Sequence, residues 1–171
     1  MQKEQGLTQN KLAEQMRKGM RYLASGVCII STRDAAGENH AMTATSVTSV
    51  SDEPPSLLVC INRVHRIYSA FAIDSLFAVN ILANEHQALS QCCADREKLD
   101  QRFNFPNWQE SRDSAPALND ALACFQCVTR KMVSYGTHDV VIGDIVSVLS
   151  SGDQDVDPLL YFDGRYTKIQ R

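Results

Sequence analysis

The segment MTATSVTSVSDEPPSLLVCI, residues 42–61, sets two strand-like runs of opposite character on either side of a double proline. The first run is rich in hydroxyls (Thr43, Thr45, Ser46, Thr48, Ser49 and Ser51) interleaved with valine and alanine. That pattern suits a strand with one buried and one polar face. Pro54 and Pro55 donate no backbone hydrogen bond, so the run must stop and turn there. The second run, residues 57–61, is wholly apolar and reads as a buried strand. Small polar side chains beside a buried strand make a floor for a planar ligand with polar edges. An edge strand whose hydroxyls face water is the plainer alternative.

Upstream, Leu12, Met16, Met20 and Leu23 recur at helical spacing, which predicts a helix over residues 8–23 capped by Thr8 or Asn10 and ended by Ser25-Gly26. Residues 27–32 (VCIIST) switch to the pattern of a buried strand. Asp34, Gly37 and Asn39 bring turn chemistry, so the next strand, from about residue 40 to 49, pairs antiparallel with it. Downstream, Asn62 caps a short helix over residues 67–72. A helix N-terminus flanked by Arg63 and Arg66 is a ready phosphate site, a solvated basic turn being the alternative. Residues 76–82 (LFAVNIL) form a buried strand in which Asn80 must hydrogen-bond to backbone or to a ligand.

A capping box at Asn84 opens a second helix running to about Ala94. Residues 95–118, with Arg102 and Trp108, read as a long functional loop. Residues 121–135 and 140–149, joined at Gly136-Thr-His-Asp139, make the strongest hairpin of the chain. A polar loop over residues 153–157 precedes two short strands at 158–162 and 164–166. At least six strands with two or three helices between them indicate a closed antiparallel barrel, not a βαβ sheet. No GxGxxG follows a strand, which excludes a Rossmann-type dinucleotide site.

A length of 171 residues fits a single domain over residues 1–171. The net charge of -3, with no block of Lys and Arg, leaves no footprint for nucleic acid. No apolar run reaches the ~18 residues of a membrane span, and the polar N-terminus lacks a secretory h-region, so a cytoplasmic protein is expected. The six cysteines are then free thiols. Cys124 and Cys127 have metal-ligand spacing but lie i and i+3 on a strand, facing opposite ways, with no second pair in reach; no metal site is expected. His40, His65 and His86 are scattered and read as surface residues, although His65 stands at the basic turn.

Four separated pieces then combine: Ala24-Ser-Gly-Val27; Met42-Thr-Ala-Thr-Ser46 with Ser49-Val-Ser51 and Pro54-Pro55; Cys60-Ile61-Asn62 with Phe77-Ala-Val-Asn80; and Gly136-Thr-His138 with Pro158-Leu-Leu-Tyr161. In order and spacing they resemble the flavin reductase-like proteins of the FMN-binding split-barrel fold. These are reductase components of two-component flavin-dependent monooxygenases, of the 4-hydroxyphenylacetate monooxygenase reductase type. The resemblance implies a mainly β, Greek-key-like antiparallel split barrel with two or three flanking helices. It also implies a homodimer that uses NADH (or NADPH) to reduce FMN or FAD for a partner monooxygenase.

Carried over residue by residue, Thr43, Ala44, Thr45, Ser46 and Ser49 offer backbone and hydroxyl groups to the flavin ring. Cys60, Ile61 and Asn62 line the ring and ribityl chain, and Phe77, Ala78, Val79 and Asn80 close the pocket. Arg63, Arg66 or Arg102 meets the phosphate, and Gly136, Tyr161 and Tyr166 complete the cofactor set. His138 is the expected catalytic contact with the nicotinamide, where the hairpin alone gives only a solvent-facing histidine. The chain departs from the commonest family pattern at Thr137, where many members have Asp, and at Ala41, where Gly is usual. A carboxylate to orient His138 is therefore missing unless Asp139 substitutes. The same pocket would also serve an FMN-binding electron carrier that retains its flavin.

Overall fold

The computed structural model describes residues 9–150 and 157–169. The chain runs α1 (Gln9–Met20), β1 (Ser25–Gly26), β2 (Cys28–Arg33), β3 (Asn39–Ala44), β4 (Val47–Asp52), β5 (Pro55–Asn62), β6 (Leu76–Ile81), α2 (Gln87–Ala94), β7 (Trp108–Gln109), β8 (Ala117–Leu118), β9 (Ala123–Tyr135), β10 (His138–Ser150), β11 (Leu160–Phe162) and β12 (Arg165–Thr167). Short 3-10 turns occupy Arg66–Ala70, Asn84–His86 and Leu99–Gln101. Thr8, one of the two expected helix caps, lies outside the described residues, as does the 153–157 loop except for Asp157.

Seven strands form one antiparallel sheet in the order β3-β2-β6-β9-β10-β5-β4. Its two edge strands, β3 and β4, are consecutive in the chain, with only Thr45 and Ser46 between them. Three peptide steps reach at most about 11 Å, so the edges must come together at that corner and the sheet must curl. Cys60 N donates to Ser46 O at 3.3 Å, seating the corner against β5. Among the described residues β3 and β4 share no ladder, which leaves the barrel split along that seam.

This corner corrects one expectation: residues 40–49 are not one strand but two, on opposite edges of the sheet. Adjacent hydroxyls at Thr45 and Ser46 interrupt the alternation there. The stop at the double proline holds, with β4 ending at Asp52 and β5 beginning at Pro55.

Alternation along the strands divides the core. Ile30, Val59, Ile61, Phe77, Val79, Cys127 and Val141 pack inside the barrel. Their neighbours Val27, Ile29, Leu82, Leu89, Cys93, Leu118 and Leu159 pack outside it, under α2 and the tail. Cys127 belongs to the inner cluster, while Cys124 packs with Ala78, Ala115 and Ala117 on the other face. Burial pushes the thiols of Cys93 and Cys127 up to about 12, and those of Cys28 and Cys124 up to about 11.

The β9–β10 hairpin is the longest unit, 13 residues in each arm. Its register breaks between Ile142 and Gly143, beside the ring of Phe77. The tail adds β11 and β12 to β1 as a small second sheet. In contrast to this packed interior, α1 buries none of its residues, and its stripe of Leu12, Met16 and Met20 stands in the open.

Two of the histidines expected at the surface, His40 and His86, are buried. His40 bonds Asp34 at 2.9 Å beside the β2–β3 turn, and His86 Nδ1 accepts the N–H of Ala83 at 3.0 Å, capping the turn ahead of α2.

Candidate functional site

The hairpin closes on two residues, Gly136 and Thr137, with Tyr135 and His138 already paired across it. Gly136 has φ +56 and Thr137 is not left-handed, the arrangement of a type II′ turn, which asks for glycine at its first position. The turn is therefore shorter than the four residues expected, and His138 is the first residue of β10. Register places His138 opposite Asn62, the last residue of β5, so the hairpin tip and the end of the apolar strand form one mouth.

Arg63 clamps this mouth. Its backbone N–H donates to Thr137 O at 3.1 Å. Its guanidinium donates to Gly136 O, to His138 O at 3.5 Å and to the Asp139 carboxylate at 3.0 Å. With so many protein partners Arg63 holds the turn in place and is not available as a phosphate ligand.

Asp139 does not orient His138. Successive strand residues face opposite ways, and Asp139 points inward, only 3 % exposed, where it accepts from Arg63 and from Tyr68 Oη at 2.9 Å. Burial alone raises its carboxyl, but hydrogen bonds to Ser134, Arg63 and Tyr68 together outweigh it and hold the group below its ordinary value. The partner of the His138 ring is instead Thr137, whose hydroxyl lies 2.9 Å from Nδ1. Threonine thus supplies a neutral hydrogen bond where a carboxylate was missed.

After Asn62 the chain turns sharply: Asn62 Oδ1 accepts from Val64 N at 3.1 Å, and Asn62 O from His65 N at 3.0 Å. The expected helix is a five-residue 3-10 turn, too short to present an N-terminal anion site. Positive charge comes from side chains instead. A hollow of about 170 Å³ is lined by Met42, Val64, His65, Arg66, Ile67, Arg96, Leu99 and Arg102.

Arg102 is 8 % exposed; Nη1 donates to Ala41 O at 2.5 Å, Nη2 to Asp95 O at 2.7 Å, and buried Nε has no partner. No carboxylate neutralises it among the described residues, and a buried cation held only by carbonyls calls for an anion. Arg96 likewise forms no ion pair or hydrogen bond among the described residues, whereas Arg66 is committed to Glu38 at 3.0 Å. Burial first, and then the charges of Arg96, Arg102 and His138, push the His65 imidazole below its ordinary value. A phosphate entering this hollow would meet the Arg96 guanidinium and the free Nε of Arg102.

The long loop after α2 brings Arg102 and Arg96 to this hollow. Sequence reasoning did not bring Arg96 and His65 together with Arg102, because nothing in the local pattern says that the loop folds back over the basic turn. Trp108 secures that fold, its Nε1 donating to Arg102 O at 3.0 Å and its ring lying 4.8 Å from that of Phe103.

The hydroxyl floor is smaller than expected. Thr45 and Ser46 are exposed at the corner, and Thr45, with Ser49, Ser25 and Gly26, borders an apolar hollow of about 420 Å³. Thr43 Oγ1 is spent on Ser90 O at 2.6 Å, and Ser90 Oγ in turn bonds Tyr166 Oη at 2.8 Å. Ala44 is buried, while Cys60 and Asn62 remain half-exposed at the mouth.

Ile61, Phe77, Ala78, Val79 and Asn80 expose nothing and offer a ligand no surface. They lie on β5 and β6, and β6 is central in the sheet, flanked by β2 and β9. Asn80 is fully used: Nδ2 donates to Ile29 O and Ser31 Oγ, both at 3.1 Å, and Oδ1 accepts from Leu118 N at 2.9 Å. Tyr161 packs edge-on against Tyr166 and borders a separate hollow with Gln87 and Gln91.

Residues 20–170 match the family profile described as "Flavin reductase like domain". The FMN reductase (NADH) RutF of Variovorax paradoxus is 40 % identical over 153 residues, 90 % of this chain and 83 % of that protein. Among solved structures, a homologue of nitrilotriacetate monooxygenase component B from Mycobacterium thermoresistibile superposes with a TM-score of 0.86 at 27 % identity, covering 95 % of this chain and 89 % of that one. BorF, the flavin reductase component of a bacterial two-component tryptophan halogenase, gives 0.82 at 26 % identity, with 93 % and 99 % covered.

Proposed function

This chain belongs to the flavin reductase-like family, and we propose that it is an NADH:flavin oxidoreductase supplying reduced flavin to a partner monooxygenase. The observation that supports this most is that one turn, residues 62–66, links both halves of a flavin site. Asn62 faces His138 at one end, and His65 lies beside Arg96 and Arg102 at the other. A ligand with a reactive ring and a phosphate tail needs that pairing of features.

The residues present fit FMN, since the partnerless Nε of buried Arg102 and the uncommitted Arg96 suit its phosphate. Bound flavin and nicotinamide supply the hydride chemistry themselves. The chain's part is placement. The exposed corner at Thr45 and Ser46 lets backbone approach a ring, and Arg63 fixes the hairpin so that His138 keeps its position. A neutral His138 whose Nδ1 accepts from Thr137 carries its proton on Nε2, which can then donate to a carboxamide.

The test is NADH oxidation by desalted protein with and without added FMN. Turnover that requires added flavin is expected, and it should fall at least tenfold in His138→Ala while FMN affinity changes little. Turnover indifferent to added flavin, after a single reduction of bound flavin, would instead identify an electron carrier.

We also propose a homodimer. Leu12, Met16 and Met20 stand open along α1, Met16 being 59 % exposed, and on β10 Val146 and Val148 are 58 % and 53 % exposed, with Leu149 also open. Apolar surface in such quantity favours a second copy as its cover. Sedimentation should give twice the chain mass, and Val146→Glu should lower it; a monomer in both cases removes the proposal. No described helix is long and apolar enough to cross a membrane, and residence in the cytoplasm is the reading that the free thiols support.

A further inference from the structure

Resting on the phosphate position proposed above, we infer that the carboxylates of Glu38 and Asp100 select the monophosphate of FMN over the diphosphate of FAD. The cationic hollow is not a closed end. Arg66, Leu99 and Arg102 form a wall shared with a second hollow of about 290 Å³, bordered beyond them by Glu38, Asp100 and Phe103.

The two hollows share Arg66 and Arg102 but differ in their acids. No carboxylate lines the first, whereas Glu38 and Asp100 line the second and Asp34 stands behind them, bonded to His40. A phosphomonoester terminates within the first. A pyrophosphate has to carry a second anionic phosphate past the wall, toward these acids.

The wall does little to offset them. Arg66 is already 3.0 Å from Glu38, and the two terminal nitrogens of Arg102 are directed at the carbonyls of Ala41 and Asp95. A unit phosphate charge on the order of 7 Å from an exposed carboxylate, in largely aqueous surroundings, is disfavoured by about two- to threefold per carboxylate at low salt. The preference is therefore a matter of repulsion built against the larger flavin, not of extra contacts to the smaller one.

The experiment measures dissociation constants of riboflavin, FMN and FAD by flavin fluorescence, using the full chain and its Glu38→Gln, Asp100→Asn and doubly substituted forms. Both residues are exposed, so the variants should melt as the parent does. At low salt the parent should prefer FMN to FAD by about fivefold or more, and the double variant should reduce that ratio by about fivefold. Riboflavin should stay within about twofold throughout, and added salt should narrow the parent's ratio more than the variant's. A ratio unchanged in the double variant, or FAD bound as tightly as FMN by the parent, overturns the inference. So does a parallel loss for riboflavin, which would mean that the acids hold the pocket's shape. If the parent binds FMN no better than riboflavin, the phosphate position itself is wrong and the inference falls with it, an outcome distinct from the others.

Discussion

Replacing Gly143 by alanine probes how tightly the barrel interior is filled. A β-carbon on Gly143 falls 2.5 Å from Cε1 and 2.6 Å from Cζ of Phe77, and 3.2 Å from Cβ of Cys127. Carbon atoms settle about 3.5–4.0 Å apart, so the ring has to retreat by roughly 1 Å. It has little room to do so. Phe77 is fully buried on β6, and its ring meets that of Phe71 at 5.5 Å.

Overpacking of this kind costs about 1–3 kcal/mol. Gly143 is not left-handed, so alanine suits the backbone, and stiffening the unfolded chain offsets roughly 0.4–1 kcal/mol. The net loss is about 1–2 kcal/mol, which lowers Tm by roughly 2–8 °C for a chain of this size. Denaturant and thermal melts of the flavin-free protein measure it. Phe77→Leu, which removes the clashing ring atoms, should cost at least about 1 kcal/mol less in the Gly143→Ala background than in the parent. A Gly143→Ala protein as stable as the parent, with strictly additive effects in the pair, would refute the reasoning.

Arg96→Ala should weaken FMN by about tenfold while riboflavin changes less than about threefold; equal losses for both would take the phosphate elsewhere. Because the Asp139 carboxyl is held below its ordinary value, its contribution to stability is present above the unfolded pKa of about 3.9 and is lost as pH falls through the lower folded value. Asp139→Asn should therefore flatten the acid limb of the stability curve below about pH 4, and an unaltered limb would show the network to be inconsequential. Cys60 is half-exposed whereas the other five thiols are buried, so native protein at pH 8 should be alkylated at Cys60 first, and more slowly with FMN present. Mass spectrometry locating the first label on any other cysteine contradicts this.

Strand content was legible because alternation and turn chemistry act locally. The double proline, the Asp34–Asn39 turn and the β9–β10 hairpin all lie where their residues predict. The corner at Thr45–Ser46 was not, since a strand that changes sheet edge keeps its β-forming residues and only the global ladder shows the break. The site residues that the resemblance implies include several with no exposed surface. Residues 77–80 are among them, since β6 is a central strand with both faces covered. Asn80 shows the ambiguity: a buried amide needs partners, and the sequence could not say that Ile29, Ser31 and Leu118 provide them all. Arg63 and Arg102 look alike on paper. Only the fold reveals that one has a carboxylate within 3.0 Å and the other has none.

The seam between β3 and β4 also bears on how the protein breathes. A strand paired on one side only leaves half of its amides without a cross-strand acceptor, so β4 should exchange its amide hydrogens for deuterium well before β6 or β9, which have ladders on both sides. Thr45 and Ser46 sit at the end of that soft edge. A ligand laid across the corner would add a rung there, so slowed deuterium uptake along residues 45–49 on adding FMN should register occupancy at the split.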